Sequence, residues 1–275
     1  MLENGQDKVN MGIAGLRQRV ITAIYFGIIV IGLILIHPYT CAILIVIIAF
    51  GSAYEYEKTV RGQVKGGFIW MALGGFVFGM IFEYISNPTL LLWISLMSGI
   101  WLFISLLKSI PSIDHLKYGP LLSLFYIGIP LGIFSMYLLL LLEYRMLLLT
   151  MLVMIWISDS GAYILGSQFG KNKLLPNVSP NKTVEGFFGA MMVALVAGVL
   201  LHYTTGFRSL YWWMMLAIIV WLAGAMGDLA QSGVKRKYGV KDTGRLLPGH
   251  GGFWDRFDSF IMIVPYGVLL EKLNL

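Results

Sequence analysis

The sequence is short of charge and almost empty of cysteine. Asp, Glu, Lys and Arg make up 12% of its 275 residues, against roughly 25% in a soluble domain, while 58% are hydrophobic. That balance excludes a water-soluble fold. The single cysteine, Cys41, excludes an intrachain disulfide framework; at the head of an apolar run it reads as a buried thiol. Pro38-Tyr39-Thr40 before it lacks the small residues of a lipoprotein processing site, so the first apolar run is expected to be a retained anchor. The chain also has no GxxxxGKS/T loop, no GxGxxG opening a soluble βαβ unit, no HExxH and no GxSxG, which removes the chemistries those motifs carry.

Long apolar stretches take their place. A spanning helix needs about 20 mostly apolar residues, and such stretches occur at 20–36, 39–54, 67–84, 89–107, 120–142, 146–166, 187–205, 209–231 and 258–271. They predict an all-α polytopic integral membrane protein of about nine transmembrane helices. With the amino end inside, only Arg145, Arg208 and Lys272 fall outside, and the other seventeen of the 20 Lys and Arg lie inside. Cytoplasmic connections retain Lys and Arg, so the expected topology has a cytoplasmic N-terminus and an outside C-terminus in the plasma (inner) membrane. The chain reads as one integral membrane domain, 1–275. Residues 1–145 form N-terminal helices; 146–275 carry the long cytoplasmic loops 167–186 and 232–257, where chemistry is expected.

Several polar residues are misplaced for a plain membrane anchor. Asp159 follows a long apolar run, and an unpaired carboxylate at that depth is costly; Ser158, Ser160 and Gly161 beside it suit close helix approach. Asp228 stands where the eighth stretch meets the cytoplasm, too short to reach far toward water. The segment 232–258 adds Lys235, Arg236, Lys237, Lys241, Arg245 and Arg256, interleaved with Asp242, Asp255 and Asp258. Pro248-Gly249-His250-Gly251-Gly252 allows a tight backbone path with amides turned toward an anion. Asp255 and Asp258 share one face if the segment is helical. Hard carboxylate oxygens beside basic side chains are what Mg²⁺ and polyphosphate require. His250 is an isolated histidine that a turn alone could explain, and no second histidine nearby suggests zinc. In SPNKTVEG, 179–186, Ser179 or Thr183 can cap a helix starting near Val184, and the same end can hold an anion beside Lys182. A nucleic-acid partner is disfavoured, since the basic residues lie against the membrane without a stacking platform.

These residues carry a resemblance to the phosphatidate cytidylyltransferases, also called CDP-diacylglycerol synthases. Ser232, Lys235, Arg236, Lys241, Asp242, Pro248, His250, Gly251, Gly252, Asp255, Arg256 and Asp258 match that family's signature without a gap. SDSGAY, SPNKTVEG, GDLAQS and the amino-terminal LRQRVITA extend the likeness along nearly the whole chain. Asn181 and Gln231 depart from it, standing where a lysine and an acidic residue are common. The resemblance implies that CTP and phosphatidic acid give CDP-diacylglycerol and pyrophosphate, with Mg²⁺ and in some members a monovalent cation such as K⁺. The residues expected to hold metal are Asp228, Asp255, Asp258 and Asp159. Lys235, Arg236, Lys241, Asp242, His250 and Arg256 are expected to be catalytic, and Lys182, Thr183, Ser232, Gly251 and Gly252 to bind substrate. A CTP-dependent lipid kinase and a secondary transporter using Asp159 and Asp228 are the alternatives. Gly-rich spans also suit a homodimer among membrane lipids.

Overall fold

The computed structural model of the protein describes residues 22, 24–85, 89–107, 114–244 and 251–273, with side chains at 83–85 and 106–107 left aside. Arg245, Pro248, His250 and most of LRQRVITA lie outside the described residues.

In hydrocarbon no water satisfies a backbone amide, so apolar stretches become helices that bond internally. The chain forms α1 (Ile24–Ile36), α2 (Pro38–Arg61), α3 (Gly67–Ile85), α4 (Thr89–Leu107), α5 (His115–Leu122), α6 (Ile129–Leu140), α7 (Leu142–Phe169), α8 (Val184–Thr205), α9 (Leu210–Lys237) and α10 (Trp254–Lys272). Within the described residues the apolar stretches read from the sequence fall on these helices, the stretch 120–142 running from α5 through α6. Among the described residues five are long and apolar enough to cross a membrane: Pro38–Arg61, the continuous His115–Leu140, Leu142–Phe169, Val184–Thr205 and Leu210–Lys237. The architecture is that of an all-α membrane protein.

Local chemistry explains the joints. Residues Ser123–Gly128 between α5 and α6 form a π-helical turn just before Pro130, which has no N–H to keep the α register. On this rod Gly128 and Gly132 lie against the Ala72 and Phe76 carbonyls of α3, where a Cβ would collide; small residues permit that approach. α10 is largely enclosed by other helices. Phe257, Phe260, Ile261, Met262, Ile263, Val264 and Val268 are all fully or almost fully buried, packed by α9, α4, α2, α6 and α7. A helix covered by protein does not need an apolar surface for lipid, which is how α10 tolerates Asp255, Asp258 and Glu271.

The loop 167–186, expected to be irregular up to a helix cap, holds a hairpin instead. β1 (Lys173–Leu175) pairs antiparallel with β2 (Ser179–Thr183), Lys173 opposite Thr183 and Leu175 opposite Ser179. The hairpin rigidifies the approach to α8 and fixes the position of Lys182.

Candidate functional site

α7, α8 and α9 enclose a cavity of about 470 Å³ whose walls are mostly apolar and whose polar end carries Asp159, Lys182 and Asp228. α7 and α8 meet closely because Gly186 sits against the Ala162 carbonyl and the Gly166 Cα, at 2.7 and 3.0 Å from where its Cβ would be. Gly161 similarly faces Val193 on α8, the close approach its neighbours suggest. On the opposite wall the Trp221 indole donates to the Phe187 carbonyl at 2.8 Å and lies 4.7 Å from the Phe187 ring. This pins an aromatic surface across α8 and α9.

At the polar end, Lys182 Nζ is 2.5 Å from Asp228 Oδ2, and the Ser232 hydroxyl donates to Asp228 Oδ1 at 3.2 Å. Thr183 caps α8, its hydroxyl accepting from the Gly186 amide at 3.1 Å. Of Ser179 and Thr183, the two caps the sequence allows, the helix uses Thr183, and its first turn lines the cavity. Glu185 grips the preceding turn, accepting from the Lys171 amide at 3.0 Å and the Asn172 amide at 3.1 Å. Asp159 opens into the cavity from α7. Asp258 is buried behind it on α10, where it feels the charge of Asp228 and, more weakly, of Asp159. Its Oδ1 accepts from the amide of its neighbour Ser259 at 2.8 Å.

Asp255 has a different environment. Its Oδ1 accepts from Lys235 Nζ at 2.7 Å and Gln231 Nε2 at 3.0 Å, and its Oδ2 from the Gly252 amide at 2.8 Å and the Thr243 amide at 2.9 Å. Four N–H donors match the roughly four lone-pair sites of a carboxylate. Burial disfavours its charge, but Lys235 and the two amides more than offset this and hold the carboxyl below the ordinary aspartate range. Gly251 adopts φ +83 and would place a Cβ 2.9 Å from Asp255 Oδ2, so glycine is required here on both counts.

The sequence-derived residues therefore divide into two neighbouring groups. Asp159, Lys182, Thr183 and Asp228 meet at the cavity. Lys235, Asp255, Gly251 and Gly252 build the loop above α10, with Asp242 beside Gly251. Ser232 and Asp258 lie between the groups. Arg236 reaches back to the hairpin, its Nε 3.3 Å from the Val178 carbonyl, Lys241 is exposed, and Arg256 is exposed at the start of α10 with its charge felt at Asp159. The four expected metal ligands are not gathered into one cage: Asp255 is occupied by donors, and among the described residues no three His, Cys, Asp or Glu side chains converge for a metal.

A residue absent from the sequence reading completes the loop. Glu55, 6% exposed on α2, accepts from the Thr243 hydroxyl at 2.6 Å and from the Phe253 and Trp254 amides at 2.8 Å each. Gly252 packs so closely on Glu55 that a Cβ there would overlap it. The signal in the sequence was a carboxylate inside AYEYEKTVR, one residue past the end of the apolar stretch 39–54.

The sequence profile of the cytidylyltransferase family matches residues 17–273. Phosphatidate cytidylyltransferases of Staphylococcus haemolyticus and Staphylococcus saprophyticus are each 47% identical to this chain over 114 residues, and one of Staphylococcus aureus is 46% identical. Each alignment takes in 41% of this chain and 44% of the relative, so it spans less than half the length of the curated relatives.

Proposed function

Because the chain belongs to the cytidylyltransferase family, we propose that it transfers the cytidylyl group of CTP to phosphatidic acid, forming CDP-diacylglycerol and pyrophosphate for phospholipid synthesis. The observation that carries this reading is the cavity itself. Its apolar walls suit a lipid's hydrocarbon, and its polar end presents Lys182 beside Asp228 to a phosphate. Ser232, the first residue of the signature, lies one helical turn along α9 from Asp228.

The reaction makes modest demands. A phosphatidate phosphate is already an anionic nucleophile, so one of its oxygens can attack the α-phosphorus of CTP without a strong general base. The P–O bond to the β-phosphate breaks, and pyrophosphate leaves with the bonding pair. Catalysis then consists of in-line positioning and charge neutralisation. Lys182 neutralises the lipid phosphate at the cavity mouth. Lys235, Arg236, Lys241 and Arg256 take up charge on the triphosphate, and the amides around Gly251 and Gly252 present N–H groups to it. Thr183 and Ser232 orient phosphate oxygens, Asp242 adds to the loop's polar lining, and His250, outside the described residues, is retained as a catalytic residue on the sequence signature alone.

Carboxylate oxygens are the donors a hard cation takes, and Asp258 feels the charge of Asp228, with Lys182 and Lys235 as nearby positive charges. Among the described residues no three of these carboxylates converge on one point, so Asp228 and Asp258 are the residues that would hold Mg²⁺ together with substrate phosphate oxygens, with Asp159 as a further candidate ligand and K⁺ as a second candidate ion. When bound, Mg²⁺ supplies positive charge to phosphate oxygens. Asp255 acts through Lys235 and the loop amides instead.

Nine spans with a cytoplasmic amino end complete the proposal, placing the hairpin, Lys182 and the loop on the cytoplasmic side of the plasma membrane. The deciding experiment incubates purified protein with CTP labelled in the α-phosphate and with phosphatidic acid. A labelled liponucleotide and free pyrophosphate are expected; labelled CDP would assign a kinase instead, and no product would remove the enzyme.

A further inference from the structure

Glu55 is a buried carboxylate on the second helix, far in sequence from the loop it touches. Its three donors come from both sides of residues 245–250: Thr243 on one flank, Phe253 and Trp254 on the other. The two amides belong to the N-terminal end of α10, where backbone N–H groups and the helix dipole favour an anion. The Thr243 hydroxyl has one proton to give. It lies 2.6 Å from Glu55 Oε2 and 3.0 Å from Asp255 Oδ2, so it donates to Glu55 and leaves Asp255 Oδ2 to the Thr243 and Gly252 amides. Asp255 in turn holds Lys235.

We propose that Glu55 is a positioning residue for the phosphate-handling loop, fixing Thr243 and the start of α10 so that Asp255 presents Lys235 to the nucleotide phosphates. The inference rests on the cytidylyl-transfer reading for its kinetic consequence, though not for its geometry. An amide in place of the carboxylate offers one acceptor oxygen and turns an NH₂ toward a donor. The displaced Thr243 hydroxyl then competes for Asp255 Oδ2, and Lys235 is carried off line. Glu57, two residues along the same helix, provides the comparison. It is also fully buried, but it accepts from the Lys65, Gly66 and Gly67 amides, at 3.3, 3.1 and 3.1 Å, and so secures α3.

The test compares Glu55→Gln, Glu55→Asp and Glu57→Gln in purified full-length protein, reading kcat and KM for CTP and amide exchange at Phe253 and Trp254. Glu55→Gln should lower kcat/KM for CTP by about 10- to 100-fold, the scale of a small misplacement, and speed exchange at both amides; Glu55→Asp should recover part of each. Glu57→Gln should leave kcat/KM for CTP near wild type. A folded Glu55→Gln protein within about twofold of wild type with unchanged exchange overturns the proposal, as does an equal kinetic loss in Glu57→Gln. Should Glu55→Gln not fold, Thr243→Val carries the same expectation and the same refutation. Faster exchange at Phe253 and Trp254 in a protein whose wild type transfers no cytidylyl group supports the loop geometry and removes the reaction.

Discussion

Lys182 on β2 and Asp228 on α9 close the polar end of the cavity with 2.5 Å between Nζ and Oδ2, yet their side chains remain 30% and 37% exposed. An ion pair that open to solvent adds only about 0–1 kcal/mol to stability. Its contribution should therefore appear in turnover. Lys182→Met and Asp228→Asn are expected to unfold within about 1 kcal/mol of wild type, and to lose at least about tenfold in kcat/KM. Denaturation and steady-state kinetics on the same preparations check both halves.

The Lys235 and Asp255 pair behaves oppositely, being 13% and 5% exposed. Lys235→Met strands a buried carboxylate among fewer donors, with an expected stability loss of about 3–5 kcal/mol alongside the loss of activity. The sign of the pH dependence follows from the depressed Asp255 carboxyl. Its stabilisation is complete above the unfolded carboxylate value of about 3.9, and it is lost as pH falls through the lower folded value. The stability gap between wild type and Asp255→Asn should thus stay constant from about pH 5 to about pH 8 and narrow only in stronger acid, as read by chemical denaturation at each pH.

If Asp228 and Asp258 hold Mg²⁺, chelation should abolish turnover and added Mg²⁺ restore it. Asp258→Asn should raise the Mg²⁺ concentration needed for half-maximal activity by about tenfold or more. It should also remove the Mg²⁺-induced rise in melting temperature, which does not depend on catalysis. An unchanged metal requirement in Asp258→Asn would withdraw that ligand.

The cavity predicts a separation of substrates. Ala225 lines it on α9, so Ala225→Phe places a ring in space assigned to lipid. KM for phosphatidic acid should rise by about tenfold or more while KM for CTP changes little, measured by varying each substrate in turn.

The topology is accessible through the lone thiol. Cys41 is buried and its Sγ donates to the Ile34 carbonyl at 3.2 Å. In a Cys41→Ser background, a cysteine at Lys241 should react only with reagent supplied from the cytoplasmic side, and one at Tyr203 only from outside.

Much of this was legible in the sequence because a membrane simplifies the code. Apolar length locates the helices, and Thr183 announces its cap through the polar run before Val184. Asp159 and Asp228 stood out by their depth, and the structure brings both to the cavity. The hairpin escaped because strands of three and five residues leave little alternation to read. Asp255 and Asp258 looked equivalent at three-residue spacing, yet one accepts from four N–H donors and the other is buried where it feels the charge of Asp228. That difference depends on where Thr243 and Gly252 return in space. Glu55 was concealed for the same reason, since none of its partners is local.

The separation between Glu55 and the residues it holds, 188 positions to Thr243 and 199 to Trp254, also orders events during biosynthesis. A chain made from its amino end delivers α2 to the membrane long before the ribosome reaches α10. Until then the carboxylate has none of these partners, and the loop lacks the clasp that shapes it. Under the proposed loop geometry, a nascent chain halted before α10 would carry the Lys182 and Asp228 mouth but could not set Lys235, so the two halves of the site are completed at different times.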